Sequence, residues 1–277
     1  MGLRITTNLG ALNAQKSLYS NRINMDKSMA RLSSGYRINQ ASDDAAGLAI
    51  SENLKGQIRG LRQANRNAND GISLIQIAEG SLNEVSNMLI RLRELGVQAS
   101  SDTIGETERK FLDVEYQQLK NEMQRITEST KFNGYELLNG TGSVIDIQVG
   151  TGNDTFRDRI SFNAGASNAT IDALGLTTET VETKEGAQLS LDTIDKAMLS
   201  VNAIRANFGA LQNRLVSTSN NLLIADENMS AANSRIRDTD VAAETAEMTR
   251  NNILLQAGIS VLGQANQMQN MALKLLG

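Results

Sequence analysis

The side chains able to do chemistry in this chain are carboxylates, lysines, arginines, tyrosines and hydroxyls, because histidine and cysteine are both absent. Without an imidazole there is no Ser–His or Cys–His relay, no His-ligated zinc and no histidine general base. Without a thiol there is no disulfide, thiolate nucleophile or cysteine metal site. Charge pairing and hydrogen bonding remain. The pair Asp43 and Asp44 stands out: it follows a turn at Ser34 and Gly35, precedes Ala-Ala-Gly, and has Arg31 and Arg37 nearby in sequence. Two readings are open. Either carboxylate can cap the following helix by accepting the free N–H groups of its first turn. Alternatively, the two acids meet Arg31, Arg37, Arg235 or Arg237, of the same or a neighbouring chain, at a joint between two parts of the fold. Scattered carboxylates are the only candidates for catalysis, so no enzyme activity, metal ligand or cofactor is expected.

The elements that must hold these groups are helices. Of 277 residues, 40% are hydrophobic but only 3% aromatic, with no Trp and no Pro, so the core is aliphatic and helices can run long without kinks. A net charge of -4 argues against a nucleic-acid partner, which would want a basic stripe. From Ile50 through Leu54, Gln57, Leu61, Ala64, Ala68, Gly71, Ile75 and onward to Ala99, apolar or small residues alternate steps of four and three. That is a coiled-coil seam. A second helix carries Leu112, Tyr116, Leu119, Met123 and Ile126 on one face, and a third long seam runs from Ile194 to Ile236. Between them the period changes to two over Val144–Val149 and Arg159–Asn163, which predicts a β-hairpin. Residues 165–187, rich in Thr, Ser, Asn and Gly, are expected to form a surface excursion with short strands.

The two ends are apolar on more than one side. Val241, Met248, Leu255 and Leu262 form one row, and Leu254, Ala257, Val261, Met268 and Leu275 another, and the first 38 residues are striped in the same way. A helix apolar on two sides cannot leave one face wet. At about 25 cal/mol per Å2, a few hundred Å2 of such surface left exposed costs several kcal/mol, comparable with the net stability of a domain. The ends therefore read as polymerisation surfaces through Ile5, Leu9, Leu12, Leu18, Met25, Leu32, Leu254, Leu255, Val261, Leu262, Met268 and Leu275. The uncharged run from Asn251 to Leu273 carries too many amides to cross a membrane, and no cleavable signal peptide is visible. Folding the chain back on itself gives a mainly α protein: an elongated antiparallel helical rod or coiled coil with a central β-hairpin and the N- and C-terminal helices paired at one end. Residues 1–45 with 235–277 make a terminal coiled-coil domain. Residues 46–234 make the helical rod, with the hairpin around 142–165 and a reduced variable region around 165–187.

The stretch LSSGYRINQASDDAAGLAIS, from Leu32 to Ser51, closely resembles the N-terminal signature of bacterial flagellins. SRIRDTDVAAE and ILLQAGISVLGQANQ resemble the matching C-terminal signature, in the right order and at the opposite end. The resemblance implies a structural subunit of the extracellular filament used for swimming, its termini forming an inner coiled-coil tube and the rod an outer layer. With only about 20 residues where relatives carry outer domains, this is a minimal core form. It further implies secretion through a specialised export apparatus, a cytoplasmic export chaperone on the C-terminal helix, and contacts with flagellar cap and hook-junction proteins. The segment LIRLRELGVQAS is similar to the one recognised by the host flagellin-sensing Toll-like receptor, which implies Arg91, Leu95 and Glu115 as contact residues. Where the family commonly has a proline after ANQ, Gln269 follows Met268, so a straighter last helix is expected. A hook–filament junction protein of the same family is the nearest alternative. An intracellular signalling coiled coil is a more distant one and leaves the doubly striped ends unexplained.

Overall fold

The computed structural model describes residues 7–274, with side chains described through Met268. It is mainly helical. The order is α1 (Leu9–Ser34), α2 (Ala45–Ala99), α3 (Glu106–Ser129), the short strands β1 (Lys131–Phe132) and β2 (Tyr135–Glu136), the hairpin β3 (Val144–Gln148) and β4 (Arg159–Asn163), then α4 (Lys184–Arg237) and α5 (Val241–Lys274). The chain divides into two compact units, one of Gln57–Glu227 and one made from both flanking parts.

In the unit of Gln57–Glu227, α2 and α4 run antiparallel. Arg62 pairs with Asp226 at 3.0 Å and Arg93 with Asp195 at 2.8 Å, while a Cβ on Gly71 would lie 3.3 Å from Leu215 and one on Gly96 3.1 Å from Leu191. Small residues in the seam thus let the second helix approach closely. From Leu61 to Ala99 every position of the expected α2 row is buried. The row fails at its start, where Gln57 and Ile50 are exposed and Ile58 is buried. The β3–β4 hairpin forms as expected, with Val144 opposite Asn163 and Gln148 opposite Arg159. Ile147, Ile160 and Phe162 face the core, and the Phe162 ring lies 5.5 Å from that of Phe208. Ile147 stands level with Gly71 of α2 and Thr151 level with Gly60, and Asn67 Nδ2 donates to Gln148 O at 3.0 Å.

Residues 165–183 differ from expectation. They contain no strand, and instead of an exposed excursion they bury Ala169, Leu174, Leu176 and Val181. Polar groups of α3 hold this coil. Asp113 Oδ1 accepts the Val181 N–H at 2.9 Å, and the buried Lys120 ammonium donates to the carbonyls of Thr177 (3.2 Å) and Glu179 (2.9 Å). Burial lowers the Lys120 pKa, against the attraction of Asp113 and Glu179. The coil has no ladder of its own, so buried backbone carbonyls must find donors on side chains. The β1–β2 pair was also unforeseen. Asn133 (φ 48°) and Gly134 (φ 84°) make its left-handed turn.

Candidate functional site

The second unit carries the terminal helices. The Asn8 side chain caps α1 by accepting the Ala11 N–H at 2.9 Å, and Gly35 ends it in the left-handed region (φ 74°), returning its N–H to Arg31 O at 2.8 Å. Helix α5 pairs antiparallel with α1. Asn8 Nδ2 donates to Ala265 O at 3.1 Å, a Cβ on Gly258 would lie 2.7 Å from Leu18 Cδ2, and Arg31 meets Glu244 at 3.5 Å. The helix continues unbroken past Gln269 to Lys274, as expected without a proline.

Residues turned toward the pair step by three and four: Ala11, Ala14, Leu18, Asn21, Met25, Ser28 and Leu32 on α1, and Glu244, Met248, Asn251, Leu255, Gly258, Leu262 and Ala265 on α5. In the register fixed by the three contacts above, nearly every bulky position lies opposite a small or polar one. Asn251 is buried to 3% exposure with its Nδ2 unpartnered among the described residues. This seam is thinly apolar.

The opposite sides carry the larger apolar surface. Leu9, Leu12, Tyr19, Ile23 and Met29 are exposed on α1, and Ile253, Leu254, Ile259, Val261 and Met268 on α5. Of the twelve sequence-selected polymerisation positions, Leu9, Leu12, Leu254, Val261 and Met268 face outward. Leu18, Met25, Leu32, Leu255 and Leu262 are half-buried within the pair, and Ile5 and Leu275 lie outside the described residues. Tyr19, Ile23, Ile253 and Ile259 were missed because they fall between the regular four-three rows. None of the described helices is long and apolar enough to cross a membrane.

The linkers at the base of this pair meet in an antiparallel bridge of Tyr36 and Asp238. Arg37 N donates to Arg237 O at 2.7 Å and Thr239 N to Gly35 O at 3.0 Å. The arginines brace it. Arg37 Nη2 donates to Ile236 O at 2.7 Å, while Arg237 lies 4.7 Å over the Tyr36 ring and pairs with Glu52, whose carboxyl it holds below the ordinary range. The aspartates do something else. Asp44 Oδ1 accepts the Gly47 N–H at 2.9 Å at the start of α2, which is the helix-capping arrangement. Gly47 is needed there because a Cβ would lie 2.7 Å from the buried Ile38. Asp43 Oδ2 accepts the N–H groups of Gln40 (3.1 Å) and Asn39 (3.2 Å), and these bonds lower its pKa, helped by the charges of Arg31 and Lys27. Within the described residues neither aspartate pairs with an arginine, and Arg235 makes no ion pair.

In the Gln57–Glu227 unit, Arg91 reaches Glu115 on α3 at 2.8 Å and Glu94 at 2.9 Å, an exposed trio beside the exposed Ile90, Phe111 and Val114. Leu95, expected on the same contact surface, has 0% exposure. It is a core residue in the α2 seam and has no atom to offer a partner. A further groove on α2 is lined by Ile90, Arg93, Glu94, Val97 and Gln98.

Comparison with known proteins agrees with this arrangement. The model of the bacterial flagellin N-terminal helical region matches residues 5–143, and that of the C-terminal helical region residues 191–276. A flagellin of Halalkalibacterium halodurans is 46% identical over 98% of this chain and 99% of its own length. A Bacillus subtilis flagellin is 41% identical over 99% of this chain and 100% of its own. The crystal structure of a Bacillus cereus flagellin aligns with a TM-score of 0.51 at 33% identity, covering 61% of this chain and 94% of that one. A putative flagellar hook-associated protein from Vibrio parahaemolyticus, at 16% identity and a TM-score of 0.57, shares the fold over 71% of this chain and 100% of its own.

Proposed function

The chain belongs to the bacterial flagellin family, and we infer that it is a structural subunit that polymerises into the flagellar filament, with no catalytic role. The observation that carries this reading is the outward apolar surface of α1 and α5, larger than the surface the two helices bury against each other. A few hundred Å2 of it hidden against identical copies supplies several kcal/mol per contact at about 25 cal/mol per Å2. The terminal pair, residues 1–45 and 235–277, then forms the inner layer of the filament and residues 46–234 the outer one. Asp43, Asp44, Arg31, Arg37, Arg235 and Arg237 gather at the joint, where the unpaired Arg235 is free to meet a carboxylate of an adjacent copy.

The same outward face is an aggregation hazard before assembly, which supports a cytoplasmic export chaperone seated on α5, passage through the export apparatus, and an extracellular, secreted destination. Cap and hook-junction proteins share the family's ends and take the same surfaces. Arg91 and Glu115, exposed and paired, are the accessible members of the receptor-contact set. Electron microscopy of purified protein seeded with short filament fragments tests the central reading: filaments lengthen from the seeds. Protein that stays dispersed at every concentration, seeds included, sinks it.

A further inference from the structure

Phe156 is 85% exposed, more than any other large hydrophobic residue described. The loop that presents it, between β3 and β4, is held rigidly. Asp154 Oδ1 accepts the N–H groups of Phe156 and Arg157, both at 2.9 Å, and Asp158 Oδ2 accepts the Asp154 N–H at 2.9 Å. Gln148 Nε2 donates to the carbonyls of Gly150 (3.0 Å) and Gly152 (2.8 Å). A loop tied down in this way has little order left to gain on docking, so an aromatic at its tip is well placed to act as a binding hot spot.

The groove on α2 has the complementary character. Ile90 and Val97, two turns apart on one face, are both exposed and form its apolar floor; Arg93 and Glu94 form its rim. On the loop, Asp154 and Arg157 flank Phe156. Seating the ring between Ile90 and Val97 therefore brings acid to Arg93 and base to Glu94. The two features of one chain cannot meet. The loop lies beside Gly60, against which Thr151 packs, whereas the groove is centred more than 30 residues further along α2, about 50 Å away at 1.5 Å per residue. A knob and a slot at different levels of one molecule make a head-to-tail contact, which repeats without closing.

We propose that Phe156 of one copy docks in the Ile90–Val97 groove of the next, so that copies stack in rows offset by about 50 Å along α2. The contact rests on the polymer reading and specifies one of its surfaces. Because the chain has no cysteine, a Phe156→Cys/Val97→Cys chain tests it directly. Both positions are exposed, so the fold survives the changes, and the separation within a chain forbids an internal disulfide. Oxidation of seeded filaments is expected to give a ladder of covalent multimers on denaturing gels, with neither single variant passing beyond dimers. Phe156→Ala should raise the critical concentration for growth about tenfold or more, the effect typical of a hot-spot aromatic, at unchanged helicity. Filaments that grow normally but give no ladder, or one that stops at dimers, overturn the docking contact alone. A chain that never elongates seeds in its unmutated form overturns the contact and the polymer reading together.

Discussion

Replacing Leu254 and Val261 by serine separates assembly from folding. In the isolated chain Leu254 keeps 44% of its surface exposed and Val261 53%. Hiding a whole leucine or valine side chain is worth about 1.5–3 kcal/mol, so the exposed half of each has about 1 kcal/mol still to gain from a neighbouring copy. Together the two substitutions remove about 2 kcal/mol per subunit, which is roughly a 30-fold rise in critical concentration at 1.4 kcal/mol per factor of ten. The readout is the protein left in the supernatant after seeded elongation and sedimentation. Thermal melting of the unassembled chain provides the control and should move little, since serine costs a helix only about 0.5 kcal/mol relative to leucine. Leu255→Ser, on the row turned toward α1, should behave oppositely, loosening the helix pair in the lone chain. A double variant whose critical concentration stays within about twofold of the parent (a change under 0.5 kcal/mol) would refute the assignment of this face to self-association.

Three further outcomes follow from local geometry. Asp44→Ala removes the α2 cap and should cost about 1 kcal/mol in urea unfolding, whereas Asp44→Asn should be nearly neutral; equal losses would mean that the charge, not the cap, matters. Gly258→Leu drives side-chain atoms into Leu18 and should destabilise the α1–α5 pair by about 1–3 kcal/mol through overpacking, seen as faster amide exchange in α1 with the Gln57–Glu227 unit unaffected. Glu136, paired across the β1–β2 ladder with Lys131 at 2.8 Å and bonded by Thr141 and Asn139, has its pKa lowered to about 2. Because the native value lies below the unfolded one, its contribution is complete above the ordinary carboxylate range near 4.3 and is lost as pH falls toward 2. Glu136→Gln should therefore flatten the acid limb of the unfolding curve, and an unchanged limb would contradict this.

The helices, the β3–β4 hairpin and the striped ends were readable because each repeats at a fixed period. The α2 row from Leu61 to Ala99 is the clearest instance: one face is wholly covered, so the burial pattern and the residue pattern coincide. The row misleads at Gln57, where continuing the count assigns a seam position to a polar residue while Ile58 next to it is buried. Residues 165–183 were misread for a different reason. Leu174, Leu176 and Val181 enter the core from a coil without a period, and the donors that make this possible, Lys120 and Gln117, sit on another element. No local pattern reports such a partnership. The β1–β2 turn did leave a trace in Asn133-Gly134, a dipeptide suited to a two-residue hairpin. At the candidate site, spacing located the apolar residues but could not say which row turns inward; the small residues opposite them, Gly258 above all, decide that. Leu95 shows the complementary error, since a motif position says nothing about exposure when the same residue also completes a core row.

The seam between α1 and α5 has one more consequence. Bulky and slight residues alternate with a seven-residue beat on both helices, so sliding one helix by a full beat would leave the size match almost intact. Side-chain fit alone cannot tell one notch from the next. The zero mark of this ruler is the crossing of Gly35–Arg37 with Arg237–Thr239, where two backbone hydrogen bonds fix where both helices begin counting. Inserting or deleting a single residue between that crossing and Leu18 would throw every later rung out of step. Adding seven to each helix would only lengthen the ladder.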